Sequence, residues 1–337
     1  MREILEKLHH KQDLTPVEMR AAMVAIMNGR VLDADIRDFL LGLNAKGFTV
    51  DEITAAAEVM RECVVPVRTG CPRVFDIVGT GGDARHSFNI STTAAFVIAA
   101  AGVKVAKHGN RSVSSLCGSA DVLEALGVNI SMPHERLAAC LEEAGIVFLF
   151  APGHHPAMKH VASARKALGV KTIFNILGPL TNPAFATHQM MGVYSYPLVA
   201  QMAQVLRNLG AARVVVVHSA DGLDEVSTAS KTFVTELDGG SLHSYEVIPE
   251  TFGLPRAMEA DFKGGDKDVN ARILRSILEG EKGPRRDIVL MNAAFGLYTA
   301  GAAASPAQGI ILARAMIDGG AALGKLEQLK EFTNRAC

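Results

Sequence analysis

The chain has 337 residues, 49% of them hydrophobic, which is enough for two domains or for one large domain with a substantial core. Its 34 basic and 35 acidic residues nearly cancel, and this balance gives no support for a nucleic acid or an anionic membrane as a partner. Five cysteines, an odd number without a Cys-x-x-Cys pair, argue against a disulfide framework. Residues 1–7 are charged and lack the apolar core of a signal peptide, so we expect a cytoplasmic protein.

The first 65 residues predict helices only. Thr15-Pro16-Val17-Glu18 has the capping-box pattern with proline at the first helical position, and Asn28-Gly29 is typical of a helix end. Thr49-Val50-Asp51-Glu52 repeats the capping box before a second helical run. Prolines and a glycine in 66–72 mark a linker. We expect a helical domain over 1–65, joined by helices from about 155–185, and an α/β domain over 73–337.

Beyond residue 73, short apolar runs alternate with longer amphipathic stretches, which is typical of an α/β domain with a mostly parallel sheet. Strands are expected over 74–78, 103–106, 146–150, 189–193 and 213–218, with a hairpin of 232–237 and 242–248. Helices are expected over 90–101, 120–126, 133–144, 156–168, 197–209, 267–278, 288–299, 307–317 and 323–334. The uncharged segment 288–313 is long enough to span a bilayer, but Ser305-Pro306 and its other polar and glycine residues favour two buried helices.

Two glycine-rich segments follow strand-like runs about thirty residues apart. The first turn is Gly79-Thr80-Gly81-Gly82-Asp83, and the second turn covers 107–115. Glycine lets a backbone approach a ligand closely, and the N–H groups that begin the following helix attract anions. Two such turns in one sheet favour a ligand with more than one phosphate, and the cations Lys107 and Arg111 fit that interpretation. A solvated loop before a helix is the simpler alternative for the second turn.

Two further segments carry oxygen ligands suited to a divalent cation. Asn89-Ile90-Ser91-Thr92 opens a helix, where Ser91 could ligate the ion; ordinary helix capping by Asn89 or Ser91 is the alternative. Asp224-Glu225 follows the apolar strand 214–217, and Mg²⁺ is usually held by one or two carboxylates together with substrate phosphates. An Asp-Gly turn with solvated acids is the alternative there.

The histidines of 151–160 do not form a metal motif. His154, His155 and His160 lack the spacing of a helical zinc site, and His134-Glu135 has no second histidine to complete His-Glu-x-x-His, so we reject a catalytic zinc. No Gly-x-Ser-x-Gly elbow occurs, which argues against a serine hydrolase. Arg165 lies on an amphipathic helix, where arginine is more often a surface charge, although a guanidinium also suits a carboxylate substrate.

Taken together and in this order, the segments resemble the anthranilate phosphoribosyltransferase family. The resemblance covers nearly the whole chain, and its most specific parts are 76–83, 88–92, 107–111, 118–127, 174–183 and Asp224-Glu225. It implies a nucleoside-phosphorylase-like fold: a small N-terminal helical domain plus a larger α/β domain with a mostly parallel central sheet. Members are usually homodimers joined through the helical domain. Departures from the family pattern are mild: Ser87 stands where threonine is common, Ala84 where glycine is common, and Leu116-Cys117 where a more polar pair is usual.

The resemblance implies a pentosyltransferase of tryptophan biosynthesis. It would transfer the 5-phosphoribosyl group of phosphoribosyl pyrophosphate (PRPP) to the amine of anthranilate, with Mg²⁺ as cofactor. The residues implied for Mg²⁺ are Ser91, Asp224 and Glu225; those for anthranilate are Gly79, His108, Asn110, Arg165 and Gly178; those for catalysis are Lys107, His108, Asn110 and Arg165. The residues implied for PRPP are Gly79, Gly82, Asp83, Ser87, Asn89, Ile90, Ser91, Thr92, Lys107, His108, Gly109, Asn110, Arg111, Ser112, Val113, Ser114, Ser115 and Ser119.

Two alternatives share this fold. A pyrimidine nucleoside phosphorylase has a related Lys-His-Gly segment but would need phosphate as co-substrate, and Asn110 with 175–183 matches the transferase family better. A non-catalytic paralogue that binds nucleic acid would call for a basic surface stripe, which the neutral charge balance and the Asp224-Glu225 pair disfavour.

Overall fold

The computed structural model describes residues 1–112 and 116–335, and these form helices around one seven-stranded sheet. The helices are α1 (Arg2–His9), α2 (Pro16–Met27), α3 (Asp33–Lys46), α4 (Val50–Glu62), α5 (Ile90–Ala100), α6 (Ser119–Ala125), α7 (Leu137–Ala144), α8 (Ala151–His154), α9 (Lys159–Leu168), α10 (Ile173–Leu177), α11 (Leu198–Asn208), α12 (Lys267–Leu278), α13 (Pro284–Thr299), α14 (Pro306–Asp318) and α15 (Ala321–Asn334). The strands are β1 (Phe75–Gly79), β2 (Val105–Gly109), β3 (Ile146–Phe150), β4 (His188–Gly192), β5 (Arg213–Ser219), β6 (Thr232–Asp238) and β7 (Ser241–Val247).

Both capping boxes of the N-terminal helices form as the sequence predicts. At the start of α2 the Glu18 backbone N–H donates to Thr15 Oγ1, and the Glu18 carboxylate accepts from the Thr15 backbone N–H at 3.0 Å. Thr49 and Glu52 make the same reciprocal pair at the start of α4. These contacts satisfy N–H groups that a helix leaves free at its N-terminus.

A buried ion pair connects the end of α3 to α4. Lys46 Nζ lies 2.7 Å from Glu52 Oε2, and the two side chains are 2% and 0% exposed. The lysine also contacts Asp13 at 2.9 Å and the Gly47 carbonyl oxygen at 2.8 Å. The other Glu52 oxygen accepts from the Leu14 N–H. Every charge in this cluster therefore has a partner within the chain.

The sheet has the order β3-β2-β1-β4-β5-β6-β7, with the first five strands parallel and β6 and β7 forming an antiparallel hairpin at one edge. The predicted α/β class with a mostly parallel sheet is therefore confirmed. The chain leaves β1 toward β2 on one side, whereas β4 lies on the other side of β1, so the strand order reverses between β1 and β4. Ligands of open α/β sheets bind outside the carboxyl ends of the strands at such a reversal.

Each face of the sheet covers a separate core, because side chains alternate along a strand. On β5, Val215 and Val217 face a core built with α5, α13 and α15, whereas Val214 and Val216 face a second core. This second core collects apolar side chains of α1–α4, α9, α10 and α11. The N-terminal helices thus pack together with later helices against one face of the sheet.

The segment 288–313 forms two helices, as predicted. Helix α13 is buried along nearly its whole length and ends at Thr299, and α14 begins after Ser305, whose hydroxyl accepts from the Gln308 N–H. Among the described residues, no helix combines the length and the apolar character needed to cross a membrane.

Candidate active site

The first glycine turn lies where the strand order reverses. Gly79 ends β1 opposite Gly192, the last residue of β4, and the Thr80 N–H donates to the Gly192 carbonyl oxygen at 2.9 Å. The Tyr194 N–H donates in turn to Thr80 Oγ1 at 3.1 Å. The turn is therefore fixed to the carboxyl ends of both central strands, where a ligand of this sheet is expected.

Asp224 lies directly against this turn. The Gly81 N–H donates to Asp224 Oδ2 at 2.9 Å, and a Cβ added at Gly79 would lie 2.5 Å from the same oxygen. Only glycine at position 79 lets the carboxylate come this close. Gly82 has φ +74°, a left-handed conformation that glycine adopts freely, and Asp83 lies close enough to Asp224 to affect its ionisation. The structure thus brings together residues that the sequence separates by about 140 positions.

Two non-glycine residues beyond the turn also have positive φ angles. Ala84 has φ +58° and His86 has φ +54°, both in the left-handed region that L-residues adopt at a cost. Glycine at position 84 would adopt this conformation without that cost. Ser87 pairs across a short β-bridge with Lys263, so this predicted ligand lies at the far end of the loop.

The two adjacent acids have perturbed ionisation. Burial, and repulsion from Asp83, raise the pKa of Asp224 above its ordinary value. Burial and the neighbouring Asp224 raise the pKa of Glu225 well above its ordinary value, although Lys107 partly opposes this. Glu225 also accepts from the Ser91 N–H at 3.1 Å, which links the acidic pair to the N-terminus of α5. Glu225 is buried, and both carboxylates accept from backbone N–H groups of other segments, which does not fit solvated acids on an Asp-Gly turn.

The start of α5 is not held by ordinary side-chain capping. Asn89 occupies the cap position without a capping bond; its amide donates to the Cys117 carbonyl and accepts from Asn270. The Ser91 hydroxyl accepts from Lys107 Nζ at 3.4 Å. The capping alternative is therefore wrong, and both side chains face neighbouring segments of the site. The other two predicted residues here, Ile90 and Thr92, have buried side chains.

The second predicted turn begins later than the sequence indicates. Strand β2 runs to Gly109, whereas the pattern predicts its end at Ala106, so Lys107 and His108 lie inside the strand. Pairing with β1 and β3 on both sides overrides the polar character of these two residues. Because neighbouring side chains of a strand point to opposite faces, Lys107 and His108 serve different sides of the sheet.

Lys107 points to the acidic side of the site. It is 4% exposed, and its Nζ donates to the Ile77 carbonyl oxygen at 2.6 Å. Burial lowers the pKa of Lys107, while the nearby carboxylates of Asp76, Glu225 and Asp224 oppose that effect. The amine is thus placed between β1, the start of α5 and the acidic pair.

His108 faces the other side, toward the helices of the second core. Its Nε2 lies 3.2 Å from His155 Nε2, and its ring makes a hydrogen bond with the Gly178 backbone. Burial lowers the pKa of His108 to about 3 and that of His155 to about 4. Both imidazoles are therefore neutral at neutral pH, and His108 can accept a proton only as a weak base.

The carboxylate that holds the His108 backbone has no role among the sequence predictions. Asp76 is fully buried in β1; it accepts from the His108 N–H at 3.2 Å and from Asn182 Nδ2 at 2.8 Å. Asn182 also donates to the Ala106 carbonyl oxygen. A charged residue in the middle of an apolar strand was the only sequence signal for this network.

The structure describes some of the predicted ligands that follow β2. Asn110 is exposed, and its carbonyl oxygen accepts from Ser119 Oγ at 3.2 Å. Arg111 pairs with Asp121 at 2.9 Å and with Glu124, and the Ser112 N–H donates to Asp121. Gly109 approaches Ser119 so closely that a Cβ would lie 2.3 Å from its hydroxyl. The predicted ligands Val113, Ser114 and Ser115 lie outside the described residues.

Arg165 lies on α9, away from the glycine turns. It is partly buried, its guanidinium carbon lies 5.5 Å from the Phe174 ring centroid, and burial lowers its pKa. Phe174 belongs to α10, which leads directly to Gly178 beside His108. Arg165 is therefore associated with the His108 side of the site rather than with the acidic side.

The donor set fits Mg²⁺ held jointly with a substrate. Within residues 1–112 and 116–335, no group of three or more His, Cys, Asp or Glu side chains could hold a metal ion by itself. Ser91 and Glu225 are joined by a hydrogen bond, and Asp224 follows directly in the same acidic pair. Two hard oxygen ligands with raised pKa values are suited to a cation that takes its remaining ligands from phosphates and water.

Comparisons with known proteins agree with this geometry. Residues 2–64 match the family model described as "Glycosyl transferase family, helical bundle domain", and residues 71–323 match "Glycosyl transferase family, a/b domain". An anthranilate phosphoribosyltransferase of Symbiobacterium thermophilum is 50% identical over 335 residues, 99% of this chain and 98% of the relative.

Solved structures give the same result. The anthranilate phosphoribosyltransferase of Thermus thermophilus superposes with a TM-score of 0.93 at 43% identity, over 98% of this chain and 99% of the other. The Saccharomyces cerevisiae enzyme in complex with PRPP and Mg gives 0.90 at 29% identity, over 98% and 97%. In complex with 4-fluoroanthranilate it gives 0.88 at 28% identity, over 98% and 97%.

Proposed function

The chain belongs to the anthranilate phosphoribosyltransferase family, and from that premise we propose how its own residues carry out the family's reaction. The resemblance inferred from the sequence is confirmed, and the relatives support it over the phosphorylase and the nucleic-acid-binding paralogue. The enzyme transfers the 5-phosphoribosyl group of PRPP to the amine of anthranilate, giving N-(5-phosphoribosyl)anthranilate and pyrophosphate, the second step of tryptophan biosynthesis from chorismate. The observation that carries the proposed site is the convergence of the first turn, the start of α5 and Asp224-Glu225 at the strand-order reversal.

PRPP would bind on the acidic side of the sheet, over the first turn and the start of α5. The turn offers backbone N–H groups, and helix α5 adds the positive end of its dipole. Lys107 is a buried cation on this side, its Nζ lies 3.4 Å from the Ser91 hydroxyl, and we assign it to the departing pyrophosphate. The further PRPP residues proposed from the family pattern are Gly79, Gly82, Asp83, Ser87, Asn89–Thr92, His108–Ser115 and Ser119.

Mg²⁺ would be held by Ser91, Asp224 and Glu225 together with pyrophosphate oxygens. A relative from yeast has been solved with PRPP and Mg, which supports the same use here. When bound, the ion neutralises charge on the pyrophosphate as the bond to ribose breaks. Burial raises the pKa of both acids, and Lys107 opposes this effect only partly for Glu225, so a bound cation would stabilise their charged forms.

Anthranilate would bind on the His108 side, near Gly79, Asn110 and Gly178. We assign its carboxylate to Arg165, whose guanidinium lies against an aromatic ring and is partly desolvated. The two substrates would then meet at β1 and β2, with PRPP on the side of the sheet that Lys107 faces and anthranilate on the side that His108 faces.

The reaction needs placement more than strong acid or base catalysis. The amine nitrogen attacks C1 of the ribose, the C1–O bond to pyrophosphate breaks with its electron pair, and C1 inverts through an oxocarbenium-like transition state. Lys107 stabilises the charge on the leaving group. The nitrogen then loses a proton, for which neutral His108 is an acceptor; a weak base suffices because an arylammonium is itself a strong acid.

We also propose a homodimer formed through the helical domain. A groove of about 750 Å³ between α1 and α3 supports this, since it is lined by Leu5 and Leu8 and by Leu41, which is 45% exposed. Light scattering of the purified protein, and of Leu41→Glu, would test it; a monomeric wild type would refute it. A cytoplasmic location is supported by the free thiols of Cys63, Cys71 and Cys140.

The first experiment mixes the purified protein with PRPP, Mg²⁺ and anthranilate and follows the loss of anthranilate fluorescence. We expect a decay that requires all three components. A flat trace from folded protein would refute the proposed function, and phosphorolysis of thymidine and uridine would then be assayed.

A further inference from the structure

Lys171, between α9 and α10, packs directly on the first turn. Its Nζ donates to the Gly82 carbonyl oxygen at 2.5 Å and lies 3.9 Å from the centroid of the Tyr194 ring. A Cβ added at Gly82 would lie 2.9 Å from Lys171 Cε, so the contact depends on glycine there. Sequence reasoning assigned this lysine no role.

Lys171 is exposed, and no acidic side chain contacts its ammonium among the described residues. Its polar partners among the described residues are a carbonyl oxygen and an aromatic face, and neither carries a full negative charge. Lys46, by comparison, meets two carboxylates. An exposed ammonium without an acidic partner, beside a turn that offers N–H groups to phosphate, can contact an anion bound there.

The backbone of Lys171 connects this turn to the other substrate side. Asn44 of α3 donates to the Lys171 carbonyl oxygen at 2.6 Å. The next residue, Thr172, begins α10 through a backbone hydrogen bond to the Asn175 side chain. Helix α10 ends at Leu177, and the backbone of the next residue, Gly178, lies close enough to His108 to affect its pKa. One short segment, 171–178, therefore runs from the PRPP turn to the anthranilate side.

We propose that Lys171 is a positioning residue that couples PRPP binding at the first turn to anthranilate binding beside Gly178 and His108. The phosphate charge holds the ammonium over the turn, which fixes segment 171–178 in the position that anthranilate requires. Coupling between two sites is reciprocal, so each substrate binds more tightly when the other is present. The inference rests on the proposed function, because it places PRPP at this turn.

The test compares Lys171→Met, which removes the charge and keeps the length, with Lys171→Arg. Lys166→Met on exposed α9 is the matched control. Initial rates over a grid of both substrate concentrations give each KM and its dependence on the other substrate. We expect Lys171→Met to raise the KM for PRPP by about fivefold to tenfold and to abolish the mutual dependence, within the usual range of coupling energies. Lys171→Arg should restore both, and kcat at saturation should change little.

Asn44→Ala gives an independent readout, because it leaves the ammonium in place and removes the tether at α3. It should weaken the mutual dependence and leave the KM for PRPP unchanged. If Lys171→Met has the same kinetics as wild type, the inference is wrong but the proposed function stands. Equal impairment of Lys171→Met and Lys171→Arg would also contradict the inference, because it would indicate a packing role. Absence of three-component turnover in wild type would instead overturn the proposed function.

Discussion

Two lysines buried in different regions of this molecule have opposite surroundings. Lys46, in the helical region, contacts the carboxylates of Asp13 and Glu52, and the second oxygen of Glu52 is also hydrogen-bonded. Among the described residues, Lys107 in the sheet donates only to a carbonyl and a hydroxyl oxygen, although three carboxylates lie near enough to affect its pKa. The carboxylates around Lys46 pair with it directly. Those around Lys107 accept hydrogen bonds from N–H groups, and among the described residues none of them forms an ion pair with the lysine.

Fully paired charges, such as those around Lys46, stabilise the fold, whereas incompletely paired charges, such as those around Lys107, are suited to bind a ligand. A buried charge costs free energy unless it is paired, so a protein retains an incomplete cluster where a ligand completes it. Burial alone would not distinguish Lys46 from Lys107; their direct partners do. Substitutions around Lys46 should therefore change the unfolding free energy, whereas substitutions around Lys107 should change activity.

The largest effect is expected on activity, from Asp224→Asn combined with Glu225→Gln. Turnover at low Mg²⁺ should fall by about a thousandfold or more, as for the loss of a charge-stabilising group in a transition state. The unfolding free energy of the ligand-free protein should stay equal or rise, because two repelling buried acids are removed. The fluorescence assay across Mg²⁺ concentrations and urea unfolding measure both, with exposed Glu246→Gln as control. Near-normal activity at low Mg²⁺ would contradict the metal assignment.

Glu52→Gln should show the reverse pattern. Loss of one partner from a buried pair typically costs about 3 kcal/mol of unfolding free energy. The kcat of the folded fraction should not change, because Glu52 lies in the helical region. Urea unfolding checks the first statement. Adding Lys46→Met to Glu52→Gln should recover part of the loss, because it removes the unpaired ammonium while the amide oxygen can still accept from a backbone N–H. A fall in kcat without a fall in stability would remove the distinction between the clusters.

Asp76→Asn tests the charges around Lys107 through the pH dependence of the unfolding free energy. Burial raises the pKa of Asp76 to about 6 from its ordinary 3.8, so its contribution to stability is full below pH 3.8 and is lost as pH rises through 6. Relative to the variant, wild type should lose stability over that window by at most about 3 kcal/mol, since each pH unit is worth about 1.4 kcal/mol. Urea unfolding of both proteins at several pH values gives the difference. A difference independent of pH would show that Asp76 does not titrate there.

The smallest effect is expected from Arg165→Ala. This guanidinium lies against Phe174, and its environment includes no carboxylate that perturbs its pKa. Loss of one charged hydrogen bond should raise the KM for anthranilate about tenfold or more and leave that for PRPP unchanged. Steady-state kinetics with each substrate varied in turn provide the test. An unchanged KM for anthranilate would remove Arg165 from the substrate side.

Local features of the fold were predictable from the sequence, because their causes lie within a few residues. The capping boxes at Thr15 and Thr49, the hairpin around Gly239 and the break at Ser305 all form as predicted. The end of β2 was wrong, because a strand paired on both sides tolerates Lys107 and His108 beyond the apolar run.

The site was predictable only as separate motifs. Sequence patterns indicated the first turn and Asp224-Glu225, but their contact through Gly81 depends on sheet pairing between distant strands. Asp76 and Lys171 escaped notice because their partners lie 32 or more positions away. The charge of Asp76 inside an apolar strand was a local signal, but it did not identify the partners.

The composition of the second core has a consequence for the nascent chain. Apolar side chains of residues 8–60 pack with those of 161–206, more than a hundred positions later. The four N-terminal helices are synthesised first but cannot bury their apolar faces until α9, α10 and α11 follow. During synthesis these apolar faces therefore remain exposed, and chaperones can bind them. A fragment of residues 1–64 would lack about half of the side chains that form the second core.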